Sequence, residues 1–170
     1  VQAILKEAEV AGGLGEGFGL FRQERLGKNG KPFMILKLRS MRLDAEKNGP
    51  RWAERNDSRC TRLGSFLRRS RLDELPQLWN ILHGEMSFVG PRPERAYFYD
   101  QFEKTIPGFR NRLAVIPGLT GLAQVNGGYD LSPDQKIVFD MKYIENCCVG
   151  MDLSCMLKTV RLVFTHEGAR

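Results

Sequence analysis

At 170 residues the chain is long enough for one domain with a buried core, and its 42% hydrophobic content rules out a disordered tail. With 26 Lys and Arg against 20 Asp and Glu the net charge is +6, which favours anionic partners: phosphorylated small molecules, acidic lipid or nucleic acid. The four cysteines form no C-x-x-C pair and there are only two histidines, so a zinc site is not expected and the thiols read as reduced, as in a cytosolic environment.

In chain order, VQAILKEAEV has a helical pattern and is followed by AGGLGEGFG, too rich in glycine for regular structure. The absence of an initial methionine suggests a piece of something longer. Short mixed runs at 20–25 and 32–38 flank Lys28-Asn29-Gly30, and Asn-Gly predicts a β-hairpin. Leu75, Leu78, Trp79 and Leu82 recur at helical spacing, as do Leu153, Met156, Leu157 and Val160, extended by Val163 and Phe164. Tyr97, Phe98 and Phe102 predict a helix after Pro93, and 133–146 another, with Pro133 suited to a first turn. Residues 107–128 read as loop or short strand around Pro117-Gly118 and Gly121. The expected fold is α+β: one helix-rich domain with an N-terminal β-hairpin and several amphipathic helices. No apolar run approaches the roughly 18 residues of a spanning helix, and no signal peptide is visible.

The chemistry concentrates in RRSRLDELPQLWNILHGEMSFVGPRPE, residues 68–94. Adjacent carboxylates, Asp73 and Glu74, lie behind Arg68, Arg69 and Arg71, whose guanidinium forks suit phosphate oxygens. In a continuous helix neighbouring residues point about 100° apart, so both acids reach one point only where the helix starts or breaks. Pro76 predicts such a break. Ser70-x-x-Asp73 also fits a capping box, which would give Asp73 a purely structural role. Downstream, Pro91 and Pro93 hold Arg92 rigidly. On the hairpin, Lys37 and Arg39 share a strand face; these cations meet either phosphates or solvent. The run Pro117–Gly127 has the small-residue composition of a ligand-wrapping loop or of a tight turn.

Taken together and in order, FRQERLGKNGKPFMILKLRSM, SRCTRLGSFLRRSRLDELPQLWNILHGEMSFVGPRPE and PGLTGLAQVNG resemble the bacterial sugar transferases, the polyprenyl-phosphate hexose-1-phosphate (monotopic phosphoglycosyl) transferases. The resemblance runs from about Phe21 into the C-terminal helix. It implies transfer of a sugar 1-phosphate from a UDP-sugar to polyprenyl (undecaprenyl) phosphate, with release of UMP, initiating exopolysaccharide, capsule or O-antigen synthesis. It implies Asp73 as a nucleophile forming an aspartyl phospho-sugar, and Glu74 as ligand of a magnesium ion. By the same carry-over Lys37, Arg39, Arg69 and Arg92 contact phosphates, Gln124 and Asn126 line the nucleotide pocket, and Gln77, Glu94 and Asp140 support the pair.

The resemblance further implies work at the inner-leaflet surface, on the cytoplasmic face of the bacterial inner membrane. There Phe66, Leu67, Leu75 and Trp79 beside arginines would suit anionic headgroups; core packing is the alternative for the same residues. Residues 1–19 are expected to be the remnant or replacement of a membrane-anchor region, because EVAGGLGEGFG stands where the family carries a re-entrant hydrophobic helix, and 20–170 to be the catalytic domain. Gly128 stands where the family generally has arginine. These two departures keep open a second reading, a catalytically weak scaffold bound to membrane or polymer. Nucleic acid is not an expected partner, since the aromatics are not interleaved with Lys and Arg as in stacking platforms.

Overall fold

β1 (Leu20–Leu26) and β2 (Pro32–Leu38) form the expected antiparallel hairpin in the computed structural model, in register from Leu20↔Leu38 to Leu26↔Pro32. The turn between them works because Asn29 and Gly30 adopt left-handed backbone, φ 57° and 74°. The structure describes residues 19–47, 49 and 57–165; the helical piece and most of the glycine-rich tract expected at the N-terminus lie outside them. Phe33 and Ile35 project from β2 into a cluster with Met86. The outer edge of β2 meets a side chain instead of a third strand. Asn80 accepts from the Leu36 N–H (3.1 Å) and donates to the Met34 carbonyl (2.8 Å). Leaving such buried peptide groups unpaired costs about 1–3 kcal/mol each.

α1 (Arg62–Arg69) starts at Thr61, whose hydroxyl accepts from the Gly64 N–H. Gly64 lies so close to the hairpin exit that a Cβ there would sit 1.8 Å from the Ser40 carbonyl oxygen. This contact brings Arg68 Nε within 2.9 Å of Ser40 Oγ. At the other end the Ser70 hydroxyl turns back to the carbonyls of Phe66 and Leu67, and Arg71 takes a left-handed backbone, φ 55°. Ser70 therefore closes α1 and does not open a helix onto Asp73, so the capping box suggested by the sequence is not formed. A single 3₁₀ turn, Leu72–Glu74, follows, and α2 (Gln77–Leu82) restarts after Pro76, the break the proline predicts.

The apolar stripe of that region is real but faces outward. Leu75 is 53% exposed and Trp79 40%, while the residues α2 buries are Gln77 and Asn80. Phe66 and Leu72 are exposed beside them, so core packing does not account for Phe66, Leu75 and Trp79, whereas Leu67 is buried and belongs to the core. The second stripe behaves similarly on α6 (Val149–Thr165): Leu153, Leu157 and Val160 are exposed, and Cys155 is the buried residue.

The remaining elements build the wall behind the carboxylates. β3 (Ser87–Val89) pairs in parallel with β4 (Gly118–Thr120), and α3 (Ala96–Thr105) packs Tyr99 against Phe109 of a 3₁₀ segment, Phe109–Ala114. The 107–128 stretch thus contains the expected short strand, and in addition that 3₁₀ segment and one helical turn, α4 (Leu122–Val125). α5 (Pro133–Asn146) has Pro133 in its first turn and a capping box between Ser132 and Gln135. Its Tyr143 joins Val89 and Cys155 in a third core cluster and donates to the Val89 carbonyl or to Asp152. All four cysteines are free thiols.

Candidate active site

The 3₁₀ turn between α1 and α2 buries both carboxylates, leaving Asp73 6% and Glu74 7% exposed. Their surroundings differ sharply. Arg92 donates to both oxygens of Glu74, and Lys37 Nζ lies 3.4 Å from Glu74 Oε1. Burial alone would push the Glu74 carboxyl up, but Arg92 and Lys37 outweigh it and hold the group well below the usual carboxylate range. Asp73 makes no hydrogen bond or ion pair with any described residue. Burial and the neighbouring Glu74 charge raise its pKa to about 6. Lys37 is lowered to about 8, by burial first and then by Arg92, with Glu74 opposing.

Arg92 is fixed from behind. It follows β3 in the Gly-Pro-Arg-Pro run, and its carbonyl accepts from Arg112 Nη2 at 3.0 Å. Arg112, 3% exposed, also donates from Nε to Asp140 Oδ2 at 2.7 Å, and its guanidinium lies 4.7 Å from the Phe109 ring centre. Burial raises the Asp140 pKa, with Arg112 opposing, so this pair depends on each partner for its charge. A second bridge, Arg25 to Glu94 at 2.9 Å, ties β1 to the same loop.

These groups surround a cavity of about 260 Å³. Of the residues singled out in the sequence, Lys37, Arg39, Asp73, Arg92, Glu94, Gln124 and Asp140 line it, and Glu74 is bonded to Arg92 at its wall. Three are placed otherwise. Arg69 is exposed on α1 and does not line the cavity, whereas Arg68 and Arg71 do. Asn126 is exposed and donates to the Leu122 carbonyl, ending α4. Gln77 is fully buried and does not line the cavity, and neither of its amide atoms is hydrogen-bonded to a described residue. Arg112 and Arg25 were not singled out. Arg25 shares a strand face with Phe21 and Gln23, an alternation that could have found it; Arg112 carries no comparable local signal. Gly128 lines the cavity with φ 56°, so the departure from the family's arginine falls on the wall itself.

The donor set is compatible with magnesium. No group of three His, Cys, Asp or Glu side chains that could cage a metal occurs among the described residues. Magnesium, however, is commonly held by one or two carboxylates together with substrate phosphates. A carboxylate offers about four lone-pair sites. Lys37 and Arg92 occupy both on Glu74 Oε1, and Arg92 takes one on Oε2, which leaves one oxygen site for a hard cation.

The chain is 44% identical over 154 residues to a UDP-N-acetylgalactosamine-undecaprenyl-phosphate N-acetylgalactosaminephosphotransferase of Aeromonas hydrophila, covering 89% of the chain and 36% of that protein. Over 158 residues it is 43% identical to a UDP-glucose:undecaprenyl-phosphate glucose-1-phosphate transferase of Caulobacter vibrioides, covering 90% of the chain and 59% of the relative. A transferase of the same name from Xanthomonas campestris is 44% identical over 155 residues, with 88% of the chain and 32% of the relative covered. The chain thus spans between about a third and three-fifths of the length of these relatives. The model of the bacterial sugar transferase family matches residues 12–166, and the chain belongs to that family.

Proposed function

We propose that this protein transfers a sugar 1-phosphate from a UDP-sugar to a polyprenyl phosphate, releasing UMP, with Asp73 as the nucleophile. The observation that carries this reading is the unequal treatment of two adjacent carboxylates: Glu74 is pinned by two cations, and Asp73 faces a basic cavity without a partner. At neutral pH a carboxyl with a pKa of about 6 is mostly ionised and unencumbered, as a nucleophile must be. An Asp73 oxygen attacks the sugar-bearing phosphorus, the bond to the bridging oxygen breaks, and UMP departs with that electron pair. A polyprenyl phosphate oxygen then attacks the same phosphorus and restores the Asp73 carboxylate. Arg92 and Lys37 balance phosphoryl charge in both steps. Magnesium held at Glu74 would lower the charge of the diphosphate and stabilise the leaving UMP. The test is UMP release from a panel of UDP-sugars by membrane-reconstituted protein, expected to require magnesium and to stop with EDTA. A folded protein that releases no UMP from any of them overturns the reading in favour of a non-catalytic scaffold.

The lipid substrate requires access from a bilayer. No helix among the described residues is long and apolar enough to cross a membrane. The exposed Phe66, Leu72, Leu75 and Trp79, beside Arg62 and Arg69, have the composition of an interfacial surface on anionic lipid. Trp79→Glu combined with Phe66→Glu is expected to weaken cosedimentation with phosphatidylglycerol vesicles by about tenfold or more, since burying each large side chain contributes roughly 1.5–3 kcal/mol. Unchanged sedimentation would remove this face from the membrane.

A further inference from the structure

Several cations of the cavity wall are already engaged. Arg92 and Lys37 hold Glu74, Arg112 holds Asp140, Arg25 holds Glu94, and Arg39 lies 5.3 Å from the Phe21 ring centre. Arg71 also lines the cavity, yet its guanidinium makes no hydrogen bond, ion pair or ring contact with any described residue. Its backbone is costly as well. With φ 55° and ψ 15° just past the end of α1, it occupies the left-handed position where glycine is normally preferred. A long cationic side chain at a site better suited to glycine is explained when that side chain has work to do in the cavity.

Its chain neighbours indicate which ligand. Leu72 follows Arg71 directly and is exposed, as are Phe66 and Leu75 within five residues on either side, and Asp73 is buried two residues on. Arg71 therefore joins the surface suited to lipid and the cavity that holds the nucleophile. The donor diphosphate already has Arg92 and Lys37 around Glu74. We propose that Arg71 captures the phosphate of the polyprenyl acceptor as it enters from the membrane side, an assignment that rests on the transfer reading above. A guanidinium fork suits this task, because it binds two phosphate oxygens at once.

Two half-reactions separate the possibilities, measured on the full-length protein in phosphatidylcholine vesicles. The UMP burst without acceptor reports the donor step, and turnover against undecaprenyl phosphate reports the acceptor step. The variants are Arg71→Gly, which the left-handed backbone accommodates, and Arg71→Lys, which keeps the charge. Arg71→Gly is expected to raise the KM for undecaprenyl phosphate about tenfold or more, well beyond its effect on the burst, with Arg71→Lys recovering part of the loss. An unchanged acceptor KM, or an equal slowing of both steps, overturns the proposal; the latter assigns Arg71 to the donor.

A binding arm needs no turnover. Wild-type protein should sediment more strongly when undecaprenyl phosphate is added to the vesicles than when phosphatidylglycerol is added, and Arg71→Gly should lose that difference. Equal gains with both lipids in the wild type would make Arg71 a contact for bulk headgroups and overturn the proposal. A wild-type chain that gives no UMP burst overturns the transfer reading itself, and the binding arm still decides whether Arg71 holds an isoprenoid phosphate.

Discussion

Asp73→Asn is expected to abolish UMP release and, in magnesium-free buffer near neutral pH, to leave a protein more stable than the wild type. The loss follows from removing the nucleophile proposed above; a drop of at least about a thousandfold is expected for a covalent nucleophile. The gain follows from linkage. The pKa of Asp73 is raised from 3.8 to about 6 on folding, by burial and by Glu74. The protonated form therefore favours the fold, a contribution fully present below pH 3.8 and lost as pH rises through 6. Asparagine keeps the neutral form at every pH. The variant should be more stable by about 3 kcal/mol above pH 7, and the advantage should shrink to nothing towards pH 4. Thermal melts in EDTA across that range provide the check. An Asp73→Asn protein equal to or weaker than the wild type at pH 7.5 would mean that the carboxylate is compensated in the resting fold, and retained UMP release would end its candidacy as nucleophile.

Arg112→Met carries the second large effect. Arg112 and Asp140 are 3% and 1% exposed, so deleting the cation strands a buried carboxylate. Removing one partner of such a pair typically costs about 3–5 kcal/mol, measurable as a lower urea midpoint. Adding Asp140→Leu should restore most of that stability, because paired apolar replacements remove the stranded charge. Transfer activity should stay low in the double variant, since the Arg92 carbonyl still lacks the Arg112 N–H that fixes it. Activity returning together with stability would reduce the Arg112–Asp140 pair to a packing element.

The parts legible in the sequence were those specified locally. Asn29-Gly30 announced the hairpin, Pro133 marked the start of α5, and Pro76 marked the interruption that lets Asp73 and Glu74 be buried together. Arg92 was legible because the prolines on both sides restrict its backbone. Periodicity did find the two apolar stripes, but it reports that a face is apolar and is silent on what covers it; hence Leu75 and Leu157 turned outward. Arg112 was missed because its partner lies 28 residues away, beyond any local pattern. Arg69 was carried over from the family resemblance, whereas Arg71 reaches the cavity through a left-handed backbone that redirects the chain and that no local pattern announces. The three-residue strands β3 and β4 are too short to show alternation.

The Asn80 side chain on the free flank of β2 also bears on how the hairpin survives in company. A two-stranded ribbon presents an open row of peptide groups that a second ribbon can copy, the usual route to edge-to-edge aggregation. Asn80 occupies that row at Met34 and Leu36, so β2 offers less of a template. The same two bonds act as a gauge on sliding. A shift of β2 by one residue would break both and turn Lys37 away from Glu74, because strand side chains alternate faces. Replacing Asn80 would therefore expose a sticky edge and misplace the Lys37 cation that faces Glu74 at once.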